Sequence, residues 1–305
     1  MKVRQTADVI HGKQKDIALI SARRLEFKFT DRTTVFDVNQ PFMIPQKGIA
    51  LAQTNRHWFE MAMYLGIDSH FVRMSGPDSM VVSRENPVPL EFITRYYVDG
   101  NLWRRIQSGE VKGTDLGFPN GYEVKRGDKL PKPVFEVTTK REDVDRLLTE
   151  EEALKVGGIS EMDLRNIRQV IMELDERLHE TIKGSGLIHF DGKKEVALRR
   201  KTGRVVIVDS FGNADEDRYV EEDDYNAGRI VERSKELFRR HYIDIGYYDR
   251  LMQARAQGLA DPRMPKPTKE LVIAGTNMYM DTYERLTGST LRVGNPGFFG
   301  SMLRH

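Results

Sequence analysis

Two acidic residues near the middle of the chain have a spacing that could bring their side chains together. Residues 195–200, which begin with Glu195, and 204–209, which end with Asp209, each predict a β-strand. The loop between them, residues 201–203, ends in a glycine, which readily adopts the positive φ of a tight hairpin. A three-residue loop would place Glu195 directly opposite Asp209, with Cβ atoms about 5 Å apart. Carboxylates that close repel each other, so we expect a cation between them, and Mg²⁺ binds one or two carboxylates together with water and phosphate.

The register of this hairpin decides what the two acids can do. A loop of only Thr202 and Gly203 would shift the pairing by one residue and place the acids on opposite faces of the sheet. Two solvent-facing acids on an edge hairpin would also fit the spacing. The spacing alone leaves the metal site and the solvent-facing pair equally open.

The composition narrows the class of protein. The chain has 305 residues, a formal net charge of +2 and no cysteine. The small net charge favours neither a nucleic-acid nor a membrane partner, and the lack of cysteine excludes disulfides, thiolate metal sites and cysteine nucleophiles. There is no long apolar run and no apolar core of a signal peptide at the N-terminus. We therefore expect a soluble, cytoplasmic protein with two domains, or one large α/β domain with an appendage.

The N-terminal region contains a glycine–lysine turn that could cover a phosphate. Residues 8–38 predict β structure interrupted by Gly12-Lys13-Gln14-Lys15. The glycine lets the backbone approach an anion closely, and the lysines add positive charge. An ordinary hairpin turn of the same composition remains the alternative.

A second possible phosphate site lies at the end of a strand. Residues 88–97 are rich in β-branched and aromatic side chains and predict a strand, which Gly100 ends. Arg95 and Arg104 lie on either side of the turn, next to Asn101. Because a guanidinium binds phosphate in a bidentate manner, this group could hold a phosphate. Surface arginines at a strand end fit the same pattern.

Helices are predicted from apolar periodicity in the rest of the chain. The clearest has Leu164, Ile167, Ile171, Leu174 and Leu178 on one stripe. The predicted helices cover residues 49–65, 163–182, 226–241, 247–257 and 269–286.

Taken in order, these signals resemble the SAICAR synthetase family, the succinocarboxamide ligases of purine biosynthesis. The resemblance covers nearly the whole chain and includes a Trp-Phe-Glu helix and a terminal Tyr-Glu-Arg-Leu-Thr-Gly helix. The other matching segments are Gly-Lys-x-Lys-Asp-Ile at 12–17, Asp-Arg-x-Ser/Thr-x-Phe-Asp at 31–37, Ile-Pro-x-Lys-Gly at 44–48, Leu-Pro-x-Pro-x-Phe with a final Thr-Lys at 130–140, and Asp-x-Lys-x-Glu at 191–195.

The resemblance implies a two-lobed α/β (α+β) fold. A β-rich lobe over residues 1–87 would cover the nucleotide, an α/β lobe over 88–225 would carry the metal and substrates, and a helical segment over 226–305 would pack on both. The implied enzyme is an ATP- and Mg²⁺-dependent carbon–nitrogen ligase. It phosphorylates the carboxylate of carboxyaminoimidazole ribotide and joins it to L-aspartate through an acyl phosphate. The implied partners are small molecules, and a homo-oligomer is left open.

The resemblance also implies roles for individual residues. The nucleotide would contact Gly12, Lys13, Lys15 and Lys193. The metal ligands would be Glu195 and Asp209. The catalytic residues would be Lys13, Asp37, Lys47, Asp191 and Lys193. The ribotide or aspartate would contact Arg95, Gly100, Asn101, Asp145, Asp215 and Arg218.

The chain departs from the family pattern mainly on the substrate side. Tyr96 replaces the glycine of an Arg-Gly-Tyr sequence, Asn101 replaces a serine, and residues 215–218 are Asp-Glu-Asp-Arg in place of Asp-Ser-Ser-Arg. On the return strand, Asp-Glu becomes Asp-Ser, and a His-Asp pair becomes Val-Asp at residues 144–145.

The acids at positions 216 and 217 would repel a phosphate in place of the usual serines. Either these side chains point away from the site, or the acceptor differs from the usual ribotide. The alternatives are therefore a related ligase with another acceptor or amine, and a nucleotide-binding descendant without turnover.

Overall fold

The structure is a computed structural model that describes residues 9–12, 14–36, 38, 42–140, 146–199 and 202–291. The strands in chain order are β1 (Val9–His11), β2 (Lys15–Ser21), β3 (Arg24–Phe29), β4 (Arg32–Thr33), β5 (Phe42–Met43), β6 (Asp68–Ser69), β7 (Phe71–Gly76), β8 (Ser79–Ser83), β9 (Leu90–Tyr97), β10 (Lys129–Thr139), β11 (Leu187–Arg199), β12 (Arg204–Val208) and β13 (Asp217–Glu221). The α-helices are α1 (Lys47–Tyr64), α2 (Gly100–Gln107), α3 (Glu150–Gly157), α4 (Glu161–Ile182), α5 (Glu222–Asn226), α6 (Glu236–Asp244), α7 (Tyr247–Ala256) and α8 (Lys269–Thr287).

The smaller lobe is built on an antiparallel sheet from the first part of the chain. Its strand order is β1-β2-β3-β8-β7. β3 alternates apolar and charged residues, and its phenylalanines Phe27 and Phe29 are buried against α1. The β structure predicted for residues 8–38 is confirmed over the described part of that range.

The larger lobe is organised around β11, which has three neighbouring strands. The order is β10-β9-β11-β12-β6, and β13 also pairs with β11. The strand predicted at 195–200 belongs to one continuous strand that begins at Leu187, because residues 191–194 pair with β9.

The hairpin of β11 and β12 corrects the predicted register. Arg199 pairs with Arg204, so Glu195 lies opposite Val208 and not opposite Asp209. The pairing is therefore shifted by one residue relative to a three-residue loop. Asp209 lies just beyond the end of β12 and has a φ of 64°. Its left-handed backbone turns the chain, so strand alternation no longer sets the direction of its side chain.

Most helices agree with the periodicity of the sequence. The apolar stripe predicted for α4 is buried along its whole length. Helix α3 begins with a capping box: the Thr149 side chain accepts a hydrogen bond from the backbone of Glu152, and the Glu152 side chain accepts one from the backbone of Thr149. The observed α8 extends one residue beyond the predicted helix.

The helix predicted for residues 226–241 is wrong over its first half. Helix α5 ends at Asn226, and α6 begins only at Glu236. Gly228 has a φ of 78°, which interrupts the helix. The chain then turns back beside β13, where the backbone N–H of Glu221 donates to the carbonyl of Val231.

The lobes share one hydrophobic core. Its buried side chains come from both sheets and from α1, α4 and α8, and helices α1 and α8 pack against each other. Over the residues that the structure describes, no helix has both the length and the apolar character needed to span a membrane.

Candidate active site

Strands β9, β11 and β13 turn the predicted site residues to one face of the larger sheet. Asp191 pairs with Arg95 of β9 and with Arg218 of β13, so these three side chains share a face. Lys193 and Glu195 lie on the same face, because they follow Asp191 at intervals of two residues. Alternation thus brings together residues that are far apart in the chain.

One end of this face carries a lysine–carboxylate cluster, which consists of Lys15, Lys140, Lys193, Glu91, Glu195, Asp209 and Glu216. Lys193 is at its centre. Its Nζ lies 2.9 Å from a carboxylate oxygen of Glu91, 3.1 Å from Glu195 and 3.2 Å from Glu216. Burial by itself would lower the pKa of Lys193, but the carboxylates of Glu216, Glu91 and Asp209 outweigh it and raise the pKa. The ammonium therefore stays charged.

The two predicted metal ligands both belong to this cluster. The Asp209 carboxylate lies 2.6 Å from Lys15 Nζ, and Glu195 contacts both Lys193 and Lys140. Burial would raise the pKa of Asp209, but Lys15, Lys193 and Lys140 together lower it to about 2. Although the predicted register was wrong, Glu195 and Asp209 still lie near the same ammonium groups, those of Lys140 and Lys193.

The donor set of the cluster fits Mg²⁺. Carboxylate oxygens are its preferred protein ligands, and it typically takes one or two of them, with phosphate and water in the other positions. In the described part of the chain, no group of three or more acidic or histidine side chains has the arrangement of a metal site. If Glu195 and Asp209 held the ion, phosphate and water would supply its other ligands.

The glycine–lysine turn lies directly beside these acids. The Gly12 N–H donates to the carbonyl of Lys15 over 3.0 Å, and a Cβ at Gly12 would lie 2.7 Å from that oxygen. Lys15 is buried, and its ammonium also donates to Ser210 Oγ over 3.0 Å. The predicted nucleotide-binding residues Gly12, Lys15 and Lys193 are thus brought together. Lys13 lies outside the described residues.

The other end of the face opens into an arginine cavity of about 520 Å³. Gly100 and Asn101, at the start of α2, line it, as predicted for a substrate site. Five arginines from five separate segments also line it: Arg95, Arg104, Arg126, Arg218 and Arg239. Such a concentration of guanidinium groups suits a phosphate.

Two of these arginines, Arg95 and Arg218, share the acidic partner Asp191. Arg95 is buried between Glu136, at 2.6 Å, and Asp191, at 2.8 Å. The same Asp191 oxygen lies 3.0 Å from Arg218 Nη1, so Asp191 links the two guanidinium groups. Gly100 completes the arrangement, because its φ is 54° and a Cβ there would lie 2.7 Å from Arg218 Nη1 and Nη2. A side chain at position 100 would displace Arg218.

Lys47 and Asp215 form a buried ion pair at 2.9 Å, with side chains 0% and 1% exposed. Lys47 Nζ also donates to the carbonyl of Arg32, and Tyr279 donates to Asp215. Burial would raise the pKa of Asp215, but Lys235 and Lys47 outweigh it and hold that pKa far below its ordinary value. In this conformation the pair contacts protein groups, so its predicted roles in catalysis and substrate binding remain predictions.

The acids at positions 216 and 217 point away from the arginine cavity. Glu216 contacts Lys193 and accepts a hydrogen bond from Ser210 Oγ over 3.1 Å. Asp217 faces the opposite side of the sheet, where it lies 3.4 Å from Lys194 Nζ and 2.9 Å from His189 Nε2. Neither side chain therefore places a negative charge where the arginines would hold a phosphate.

A buried polar network behind the sheet was not predicted. Lys194 also contacts Asp175 of α4 at 2.5 Å, and the Tyr96 hydroxyl donates to the same carboxylate over 2.9 Å. The network ends at His179, whose Nε2 lies 2.9 Å from His189 Nδ1. Strand alternation along β11 does predict that Lys194 lies on the face opposite Lys193. Tyr96, which replaces the glycine of the family pattern, was a second sequence signal for this network.

Some residues of the site had no role predicted from the sequence. Some predicted residues, in turn, lie outside the part of the chain that the structure describes. Glu91, Glu136 and Lys140 belong to the site but had no role predicted from the sequence, although Lys140 is the final residue of the matching segment at 130–140. The predicted residues Asp37 and Asp145, like Lys13, lie outside the residues that the structure describes.

Fold and site together define an α/β protein whose larger sheet carries lysines, carboxylates and clustered arginines on one face. A family model described as SAICAR synthetase matches residues 8–254. The chain belongs to the SAICAR synthetase family.

Curated relatives agree with this assignment, and solved structures share the fold. Proteins from Thermoplasma volcanium and Thermoplasma acidophilum, both named phosphoribosylaminoimidazole-succinocarboxamide synthase, are each 42% identical to this chain. The first match covers 91% of this chain and 97% of the relative, and the second covers 92% and 98%. A type-2 SAICAR synthetase in complex with ADP is similar in fold, with a TM-score of 0.71, 23% identity and coverage of 94% of this chain and 100% of the other. The Saccharomyces cerevisiae enzyme complexed with SAICAR has a TM-score of 0.74, 23% identity and coverage of 96% and 98%.

Proposed function

We propose that this protein is an ATP- and Mg²⁺-dependent ligase that joins L-aspartate to the carboxylate of carboxyaminoimidazole ribotide. The names of its relatives support this activity, as do the ADP and SAICAR held by two proteins of similar fold. One observation carries the proposal. Asp191, which fixes the arginines, and Lys193, at the centre of the lysine–carboxylate cluster, are two residues apart on one face of β11. That spacing is about 7 Å, so the nucleotide and the phosphorylated substrate can lie side by side.

The reaction needs an activated carboxylate, because an amine does not displace oxide from one. An oxygen of the ribotide carboxylate attacks the γ-phosphorus of ATP, the bond to the β-phosphate oxygen breaks, and ADP leaves. The amine of aspartate then attacks the carbonyl carbon of the acyl phosphate. The C–N bond forms, the C–O bond to phosphate breaks, and the amine releases a proton. The overall products are the amide, ADP, inorganic phosphate and a proton.

The lysines of the cluster stabilise the first step. Negative charge spreads over the transferring phosphoryl oxygens, and fixed cations lower the barrier when they are aimed there in advance. Lys15 and Lys193 are held by neighbouring acceptors and carboxylates, so they need little reorganisation. Glu195 and Asp209 would hold Mg²⁺, which neutralises phosphate charge when bound. Lys13 and the Gly12 turn would contact the phosphates by likeness to the family.

The arginine cavity holds the ribotide phosphate in this proposal. Arg95 and Arg218 are fixed by Asp191 and present their guanidinium groups beside Gly100 and Asn101. By likeness to the family, the remaining contacts to substrate come from Asp37, Lys47, Asp145 and Asp215. In the same proposal, residues 1–87 cover the nucleotide, residues 88–225 carry the metal and substrates, and residues 226–305 pack against both.

The placement of two acids favours the usual ribotide over another acceptor. The acidic residues that replace serines, Glu216 and Asp217, face Lys193 and Lys194 and not the cavity. The repulsion that motivated a different acceptor is therefore removed. The paired acids Glu195 and Asp209, within reach of three lysines, also favour a working site over a descendant without turnover.

Release of ADP tests the proposal. The protein is mixed with ATP, Mg²⁺ and aspartate, and ADP is measured with and without the carboxyaminoimidazole ribotide. We expect ADP release that requires the ribotide and product that requires all three substrates. Nucleotide binding without ribotide-dependent turnover would refute the proposal in favour of another acceptor or a non-catalytic protein.

A further inference from the structure

Gln14, inside the glycine–lysine turn, has a buried hydrogen-bond donor with no partner among the residues that the structure describes. The residue is 8% exposed, and its Nε2 makes no hydrogen bond within the described part of the chain. Its Oε1 accepts from Lys15 Nζ at 3.4 Å and lies 3.1 Å from Ser210 Oγ. An ammonium only donates, so the amide atom that faces Lys15 is the oxygen and the atom without a partner is an N–H donor. A buried donor without an acceptor destabilises the protein unless a ligand satisfies it.

Two hydrogen bonds hold the backbone of Gln14, so the position from which its side chain extends is fixed. Its carbonyl accepts from the backbone N–H of Thr30 at 3.0 Å and from the Thr30 hydroxyl at 3.1 Å. The terminal torsion of a glutamine is broad, so a small rotation of the amide can bring Nε2–H towards an anion beside Lys15 while Oε1 stays within reach of Lys15 Nζ.

Lys15 also has two neutral acceptors, Ser210 and Gln14, which would hold it in place if Asp209 bound a metal ion. Lys15 now contacts the Asp209 carboxylate at 2.6 Å. A metal ion on Asp209 would compete with the ammonium for that carboxylate. Lys15 would keep its contacts with Ser210 Oγ and Gln14 Oε1, which carry no charge and do not compete for a cation. These two acceptors can hold the ammonium in the cleft while the metal is bound.

We propose that Gln14 binds the nucleotide phosphates: its Nε2–H donates to a phosphate oxygen, while its Oε1 and Ser210 hold Lys15 towards the same anion. The inference deepens the proposed function and rests on it, since it assigns a further residue to the nucleotide site. It concerns a side chain that none of the predicted roles included.

Two substitutions separate the donor from the acceptor. Gln14→Met is neutral and of similar length, but it removes both the donor and the acceptor. Gln14→Glu keeps an acceptor for Lys15 while it removes the donor and adds a negative charge. Gln169→Met, on the exposed side of α4, is the matched control for loss of a glutamine amide. Circular dichroism and thermal unfolding report whether each variant keeps the native fold.

Calorimetric titration with Mg·ADP is the test, and ribotide binding is measured in parallel. We expect Gln14→Met to weaken Mg·ADP binding about 10-fold and Gln14→Glu about 100-fold, because hydrogen bonds to charged groups are strong and a carboxylate repels phosphate. Ribotide binding and the Gln169→Met control should stay within about twofold of the unsubstituted protein.

Mg·ADP binding by both Gln14 variants within twofold of the unsubstituted protein would overturn the inference and leave the proposed function intact. An equal weakening of ribotide binding would overturn it too, because it would indicate a general loss of structure. Failure of the unsubstituted protein to bind Mg·ADP would refute the proposed function itself, and the inference with it.

Discussion

The buried ion pair of Lys47 and Asp215 gives a quantitative prediction. Asp215→Asn keeps the shape of the side chain but removes its charge. Lys47 is 0% exposed, and within the described part of the chain its Nζ would then have no carboxylate partner, while the carbonyl of Arg32 would remain as an acceptor. Removing one partner of a buried pair costs about 3–5 kcal/mol, because the remaining charge is uncompensated. We therefore expect Asp215→Asn to lower the free energy of unfolding by about 3–5 kcal/mol at pH 7.

The reverse substitution should cost less. In Lys47→Met the Asp215 carboxylate keeps Lys235, whose Nζ lies 3.4 Å away, and the hydroxyl of Tyr279 at 2.6 Å. A carboxylate that retains a cation and a donor is only partly uncompensated. We expect a loss of about 1–3 kcal/mol. The double variant Lys47→Met/Asp215→Asn should be more stable than the sum of the two single losses predicts.

The effect of Asp215→Asn depends on pH in a defined direction. Burial would raise the pKa of Asp215 in the folded protein, but Lys235 and Lys47 outweigh it and lower that pKa. The carboxylate is thus ionised more readily in the folded than in the unfolded chain. Its contribution to stability is complete above the unfolded pKa of about 4 and is lost as the pH falls below that value. The difference between the variant and the unsubstituted protein should therefore shrink at acidic pH.

Urea unfolding of the four proteins at pH 7 and at about pH 3, which lies below the unfolded pKa of Asp215, provides the measurement. If Asp215→Asn changed the free energy of unfolding by less than about 1 kcal/mol at pH 7, it would refute the conclusion that breaking this buried pair leaves an uncompensated charge. Unchanged stability together with weaker ribotide binding would assign Asp215 to the substrate site, as the resemblance to the family implies.

Three further substitutions test the two ends of the site. Gly100→Ala should raise the KM for the ribotide at least about 10-fold and leave the KM for ATP within twofold, because a Cβ would lie 2.7 Å from the guanidinium of Arg218; an unchanged KM for the ribotide contradicts this. Asp209→Asn should abolish Mg²⁺-dependent turnover without changing the circular dichroism spectrum, and normal activity would remove Asp209 from the site. Lys193→Met should lower kcat by about 100-fold or more, because three carboxylates lose a shared cation beside the transferring phosphoryl group; a kcat close to normal would show that Lys193 is not needed there.

Local patterns predicted most of the secondary structure. The stripe of α4 and the bounds of α8 follow from apolar periodicity, which depends only on nearby residues. The helix predicted across residues 227–235 failed because that segment pairs with β13, a partner that local periodicity does not reveal. The hairpin register failed for a similar reason, since it depends on loop length and on Asp209 leaving the strand with a positive φ.

The site was partly predictable because its chemistry lies in short segments. Arg95, Gly100 and Arg218 converge on the arginine cavity as the resemblance implied, and Asp209 joins Lys15. The partners that fix these residues were not predictable, because they come from other strands. Glu136 on β10 and Glu91 on β9 are ordinary strand acids in the sequence, and only sheet order brings them to their cations.

The two acids at positions 216 and 217 illustrate why sequence alone left the acceptor open. Both lie next to Arg218, yet their side chains reach opposite faces of the sheet, towards Lys193 and Lys194. Their distance from a bound phosphate depends on the pairing of β13 with β11. Comparing the sequence with the family pattern identifies the two substitutions, but it does not show which way the new side chains point.

The most direct test of carboxylate activation in this cleft follows one oxygen atom. The ribotide is prepared with ¹⁸O in its carboxylate and incubated with the protein, ATP, Mg²⁺ and aspartate, and the inorganic phosphate is analysed by mass spectrometry. Attack of the carboxylate on the γ-phosphorus predicts one ¹⁸O atom in each phosphate released from a fully labelled carboxylate. Phosphate without ¹⁸O, formed together with the amide product, would contradict an acyl phosphate and with it the proposed roles of the lysine–carboxylate cluster.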